Sequence, residues 1–134
     1  MTEILMNPIG RLASELRSTL DAPKQGDEGG GEAWLELAPE YGEALAGIRV
    51  GDSVVILTWL HEARRDLLTV HPRGDTSQPM KGVFATRSPH RPNPIGLHSA
   101  RVLQIAPDRI KVGPIEAIDG TPVLDVKISL RPEE

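Results

Sequence analysis

The chain is predicted to be mainly β, a single small closed β-barrel of about six to seven strands with one short helix and irregular loops. Three observations carry that expectation. The run Ser53-Val54-Val55-Ile56-Leu57-Thr58-Trp59-Leu60 is rich in β-branched residues and almost continuously apolar, the pattern of a strand buried on both faces. Other short apolar runs follow at regular intervals with Gly and Pro between them, from which closure into a barrel follows. A length of 134 residues suits one domain spanning 1–134 around a single core, with no additional C-terminal domain.

Taken in order, Ile4 to Leu12 is expected to be a first strand, bent or bulged at the turn-prone Asn7-Pro8, with a helix over Ile9 to Leu20 as the rival. Asp21 to Gly31 is polar and Gly-rich, which predicts a loop. Ala33 to Leu37 reads as a short strand. Pro39 to Ile48 reads as a brief helix, with Pro39 in its first turn and Gly47 at its end. Asp52 to Leu60 is the central strand. Asp66 to His71, Gly82 to Thr86, Leu97 to Ile105, Arg109 to Gly113 and Leu124 to Leu130 complete the set of strands. Pro107-Asp108 is a hairpin turn, and Asp119-Gly120-Thr121-Pro122 is a second tight turn.

Composition narrows the function classes. There is no cysteine, which excludes disulfides, thiolate zinc sites and a cysteine nucleophile. The N-terminus has neither a basic segment nor a long apolar run, and no stretch reaches the roughly 18 apolar residues of a membrane span. A cytoplasmic protein with no membrane partner is the expectation. The formal charge of −4 argues against a protein that coats nucleic acid by bulk electrostatics. Yet Thr76 to Pro107 contains no Asp or Glu while holding Lys81, Arg87, Arg91, Arg101, His90 and His98, a local basic face able to meet a phosphate backbone or a cofactor carboxylate. The aromatic residues Trp34, Tyr41, Trp59 and Phe84 are too scattered for a base-stacking platform.

The most informative segment is Gly82-Val83-Phe84-Ala85-Thr86-Arg87-Ser88-Pro89-His90-Arg91-Pro92-Asn93-Pro94-Ile95-Gly96-Leu97. Its prolines fix φ and remove donors, so Arg87, Arg91 and Asn93 sit on a stiffened loop whose ordering cost is small; a crossover with solvated arginines is the plainer alternative. Ile118-Asp119-Gly120-Thr121-Pro122-Val123-Leu124-Asp125-Val126-Lys127 is a second motif, whose Asp-Gly pair needs no more than a turn with Gly at positive φ. Near the N-terminus stand Asn7-Pro8-Ile9-Gly10-Arg11 and Pro23-Lys24-Gln25, and His61-Glu62 follows the central strand. The four histidines His61, His71, His90 and His98 lack metal-ligand spacing, so no metal site is expected. Gly-x-Ser-x-Gly is absent, and Gly29-Gly30-Gly31 precedes a strand rather than opening a helix, so neither a hydrolytic elbow nor a dinucleotide fingerprint is present.

These segments resemble the G-V-F-A-T-R-S-x-x-R-P-N-P-I-G, D-G-T-P-V-x-D-I-K, I-G and P-R-Q elements of the TrmO (YaeB-like) family, β-barrel methyltransferases that use S-adenosylmethionine to methylate a threonylcarbamoyl-modified adenosine in tRNA. The resemblance runs from Pro8 to Lys127. It implies that S-adenosylmethionine is held by Pro23, Lys24, Gln25, His61, Glu62, Arg87, Leu97, Ile118, Asp119, Gly120 and Thr121. On their own chemistry, Arg91, Asn93 and Lys127 are expected as the catalytic-site groups set against the methyl acceptor or its phosphates, and Asp125, Glu62 and His61 are the candidate bases for its proton. A homodimer with the cofactor cleft near its interface, and tRNA as substrate, are further implications. Three positions depart from the pattern: Lys24 replaces an arginine and lacks its planar fork, Glu62 replaces a glutamine, and Ile128-Ser129 replace Pro-Tyr. Another small methyl acceptor, or a sensor that binds S-adenosylmethionine without transferring its methyl group, remain the alternatives.

Overall fold

The computed structural model describes residues 2–14 and 31–131. Among the described residues there are eight strands: β1 (Gly10–Ala13), β2 (Gly31–Leu37), β3 (Ser53–Trp59), β4 (Thr69–Val70), β5 (Lys81–Gly82), β6 (Ile95–Ala106), β7 (Arg109–Ile115) and β8 (Pro122–Ile128). Six of them close a barrel in the order β1-β2-β7-β6-β3-β8, every pairing antiparallel, while β4 and β5 form a separate two-stranded ribbon. A 3₁₀ helix at Pro39–Leu45 starts with proline, and Gly47 follows it at φ 95°, a left-handed conformation that suits glycine.

Alternation along the strands fills the barrel. Leu12, Leu35, Val54, Ile56, Ile110, Val112 and Val123 are fully buried inside it. β3 pairs with β6 on one side and β8 on the other, but closure gives every barrel strand two neighbours, so the expected central strand has no central position among the six. Val54 and Ile56 point inward, and Val55 on the outer face is buried as well. β1 and β2 approach so closely at Gly10 that any Cβ there would overlap the Glu36 carbonyl. The Ile9-Gly10 pair therefore has a packing reason.

Three expected strands differ. Within the predicted strand Ile4 to Leu12 only Gly10 to Leu12 belongs to β1, with Ile9 bonded to Val123 and Ala38 just before it; Ile4, Leu5 and Met6 are exposed, and Pro8 has no N–H to give a ladder. The rival helix over Ile9 to Leu20 is replaced by β1 up to Ala13, and its remainder lies outside the described residues. Asp66 to His71 contributes only Thr69–Val70, and Asp66 lies before it in a bend where its side chain pairs with Arg64 at 2.7 Å. Gly82 to Thr86 is mainly a 3₁₀ turn at Val83–Ala85, closed by both Thr86 N–H and Thr86 Oγ1 donating to the Val83 carbonyl. The expected loop Asp21 to Gly31 falls outside the described residues except Gly31, which opens β2. The other strands occur close to where expected, except that Leu124 to Leu130 is displaced to Pro122–Ile128, so that Pro122 opens β8 instead of ending the turn; β6 and β7 are joined tightly through Pro107-Asp108.

Candidate functional site at one end of the barrel

Strand directions determine which segments meet. β1 ends, β2 begins, β7 ends, β8 begins, β3 ends and β6 begins at the same rim: Gly31 is opposite Ile115, Ala13 opposite Trp34, Trp59 opposite Ile95, and Thr58 opposite Val123. The β1–β2, β7–β8 and β3–β6 connections therefore share one end of the barrel. His61 and Glu62, the Arg87–Asn93 loop and the Ile118–Thr121 turn all lie in these connections. Pro23, Lys24 and Gln25 belong to the β1–β2 connection in sequence but lie outside the described residues. An open groove of about 360 Å³ lined by Pro8, Gly10, Arg11, Glu36, Leu37 and Ala38 is at the opposite end and includes none of the candidates.

The proline-rich loop is tied down by its own side chains. Arg91 is half-buried, and its Nη1 donates to the carbonyls of Ser88 at 2.9 Å and Thr86 at 3.2 Å. Ser88 N–H donates to Thr86 Oγ1 and His90 N–H to Ser88 Oγ. Arg91 thus staples the loop, a role the sequence did not distinguish from ligand contact. Arg87 is exposed and takes no part in that network. His61 Nε2 stands 3.9 Å from Glu62 Oε2.

The Ile118–Thr121 turn is closed by Thr121, whose N–H and Oγ1 both donate to the Ile118 carbonyl, at 3.1 and 2.6 Å. Gly120 adopts φ 87° and donates its N–H to Leu12 O, while Asp119 Oδ1 accepts from the Ser14 N–H at 2.9 Å. The turn is thereby buttoned to the end of β1. A Cβ on Gly120 would meet nothing within 4 Å, so the backbone is open to a ligand on that side.

Asp125, Lys127 and Leu97 occupy the outer wall below this rim. A bulge in β8 shifts the register from Leu57↔Asp125 to Thr58↔Val123, leaving Leu124 as the extra residue. Without it Val123 and Asp125 would share a face; with it Val123 is buried and Asp125 is exposed. Leu57 pairs with both Asp125 and Leu97, and Val55 with both Lys127 and Ser99, so one row holds Asp125-Leu57-Leu97 and the next holds Lys127. Lys127 Nζ lies 3.9 Å from Asp125 Oδ2. The wall carries an apolar strip beside an acid and a base.

Sequence reasoning missed two groups. Arg65 donates from Nε to Pro92 O at 2.7 Å and from Nη2 to Asn93 Oδ1 at 3.1 Å, and its guanidinium lies 5.2 Å from the Trp59 ring centroid. No motif marks it, since only the folding of the β3–β6 connection brings it over the loop. Thr58 Oγ1 and His98 Nε2 are 2.8 Å apart beneath the rim, where a Cβ on Gly96 would collide with both. Burial pushes the His98 pKa down to about 4, so the imidazole is neutral at neutral pH. The exposed Arg64 guanidinium holds the Asp66 carboxyl below the usual carboxylate range. His71 and His90 bond to Gln78 O and to the Arg64 N–H, so the histidines are dispersed, and no group of metal-ligating side chains occurs among the described residues.

Residues 11–131 match the family model described as the tRNA-methyltransferase O N-terminal domain. A probable S-adenosyl-L-methionine-binding protein of Methanocaldococcus jannaschii is 45% identical over 98 residues, 70% of this chain and 78% of that protein. The S-adenosyl-L-methionine-binding protein of Archaeoglobus fulgidus is 39% identical over 124 residues, 92% of this chain and 88% of that one. The crystal structure of TrmO from Pseudomonas aeruginosa superposes with a TM-score of 0.77 at 33% identity, covering 97% of this chain but only 57% of that one. With the family match running over almost the whole barrel and relatives this similar along most of their length, the chain belongs to the TrmO N-terminal-domain family.

Proposed function

We propose that the chain is an S-adenosylmethionine-dependent methyltransferase, and that its acceptor is the exocyclic N6 of threonylcarbamoyladenosine beside the anticodon of a tRNA, in the cytoplasm. The observation that carries this reading is the convergence of the family-matched segments on one barrel rim, with Asp125, Lys127 and Leu97 on the adjoining wall. The residues suit such a cofactor. Arg87 offers an exposed cation to a carboxylate, Leu57 and Leu97 offer apolar surface, and Gly120 leaves the turn backbone open to a ribose or an adenine edge. Pro23, Lys24, Gln25, His61, Glu62, Ile118, Asp119 and Thr121 complete the holding set. Since the Thr121 hydroxyl and an Asp119 oxygen are engaged inside the fold, Thr121 shapes the turn and Ile118 to Thr121 offer mainly backbone groups.

When bound, S-adenosylmethionine supplies an electrophilic methyl group on a sulfonium, whose positive charge is neutralised in the transfer. The protein's own task is orientation and exclusion of water. The acceptor N–H must lose its proton. We assign that proton to Asp125, a carboxylate exposed on the wall two residues from Lys127, with His61 and Glu62 as the other candidate bases. Lys127 and Arg91 supply positive charge toward an anionic acceptor, and Asn93 supplies an amide.

The test is transfer of labelled methyl from S-adenosylmethionine to tRNA with and without the threonylcarbamoyl group, beside a pooled metabolite extract. Label is expected in the modified tRNA alone, with a rate falling steeply between about 50 and 200 mM salt because phosphate contacts release counterions. Labelled metabolite with unlabelled tRNA overturns the acceptor. Cofactor binding with no label anywhere overturns the enzyme reading in favour of a sensor.

A further inference from the structure

Arg64 and Arg65 are laced to the proline-rich loop along its length. The Arg91 N–H donates to Arg64 O at 3.2 Å, and the Arg64 N–H donates to His90 Nδ1 at 3.0 Å. Arg65 then reaches Pro92 O and Asn93 Oδ1 with two separate N–H groups. Its guanidinium is also seated over Trp59, the last residue of β3, so the clamp is anchored on the barrel wall.

The chemistry of this clamp dictates how Asn93 faces outward. A guanidinium has five donors and no acceptor, whereas a primary amide has one oxygen and one NH₂. Only Oδ1 can face Arg65, since the flipped amide would set N–H against N–H. An exposed asparagine without such a partner interchanges its two ends freely. Here Nδ2 is turned away from Arg65, on an exposed side chain, and donates to no described residue.

We propose that Arg65 is a positioning residue that locks Asn93 as a hydrogen-bond donor, so that the site selects a methyl acceptor carrying a carbonyl, carboxylate or phosphoryl oxygen at that point. This rests on the methyl-transfer reading above. The oxygen belongs either to the substituent on the modified base or to the nucleic-acid backbone, and the experiment separates the two.

Asn93→Asp keeps an oxygen toward Arg65, adds an ion pair and deletes the NH₂; Arg65→Ala keeps the amide and frees it to flip; Arg65→Lys keeps the charge without the fork. In methyl transfer to threonylcarbamoylated tRNA, Asn93→Asp is expected to lower kcat/KM about tenfold or more. Its Kd for S-adenosylmethionine should stay within about twofold and its Tm should not fall. Arg65→Ala should lose a smaller factor, Arg65→Lys should recover little of it, and the double variant should be no slower than Asn93→Asp alone. Wild-type turnover by Asn93→Asp, or losses that multiply, would overturn the proposal. An independent readout needs no turnover: the ¹⁵N and ¹H side-chain amide shifts of Asn93, identified by their loss in Asn93→Asp, should stand apart from those of a freely rotating asparagine in the parent protein and move to the free values in Arg65→Ala. Identical shifts in the two proteins overturn the lock even if no tRNA is ever methylated, while displaced shifts in a protein inactive on tRNA keep the lock and discard the tRNA reading. With the demethylated cofactor present, a shift of these signals by modified tRNA alone assigns the oxygen to the base substituent, and a shift by both tRNAs assigns it to phosphate. No shift with either, in a protein that methylates tRNA, overturns the contact.

Discussion

His98 shows how a side chain ambiguous in sequence becomes definite in the fold. Among four histidines it had no distinguishing spacing, and its role follows from facing Thr58 across β3 and β6 where Gly96 leaves room for the ring. Its folded pKa of about 4 lies below the 6.5 of an open chain, so between these values the unfolded chain binds more protons. The neutral-imidazole contribution is therefore fully present above pH 6.5 and lost as pH falls toward 4. Urea unfolding should show stability declining through that window by up to about 3 kcal/mol. His98→Gln, which has no titrating group, should flatten that part of the profile; an unchanged profile would refute the assignment. Arg91 and Asn93 were legible as positions on a stiffened loop because prolines frame them, whereas the stapling by Arg91 was not. Arg65 was not, since its importance depends on a contact between residues 27 and 28 positions apart in the chain.

At the scale of elements, strands that supply a full inward row were legible. β2, β3, β6, β7 and β8 each carry alternating or continuous apolar residues that the core uses, as at Leu35, Ile56, Val102, Ile110 and Val123. Elements that merely lie on the surface were misjudged: Ile4 to Met6 is apolar yet exposed, and Val83 is buried within a 3₁₀ turn instead of a strand. The bulge at Leu124 was equally invisible, although it turns Asp125 outward. Close approach of backbones is another element-level property, and it separates two glycines. At Gly10 an added methyl must push back the Glu36 carbonyl, whereas at Gly31 it meets nothing within 4 Å. Gly10→Ala should cost about 1–3 kcal/mol by denaturant titration, for backbone must move to admit it. Gly31→Ala should stay within about 0.5 kcal/mol of the parent. Equal stability of the two variants would contradict the β1–β2 packing described.

For the whole molecule, antiparallel closure gathers segments far apart in sequence, since β1 leaves and β8 enters the same rim. Spacing alone carries no such information; only the strand order does. Phe84 is 81% exposed, and Leu68, Met80, Ile95 and Leu97 are exposed with it in the β3–β6 connection and the start of β6. A site that must exclude water during methyl transfer needs a further wall there. We propose that a second copy of the chain provides it, the working unit being a homodimer whose cofactor clefts lie near the interface. Light scattering at micromolar concentration should give twice the monomer mass. Phe84→Asp, which places a charge in the apolar surface without removing a core side chain, should shift the population toward monomer and weaken S-adenosylmethionine binding together. Monomer alone, with and without S-adenosylmethionine, would refute the dimer. A dimer unaffected by Phe84→Asp would place the contact on another face of the barrel.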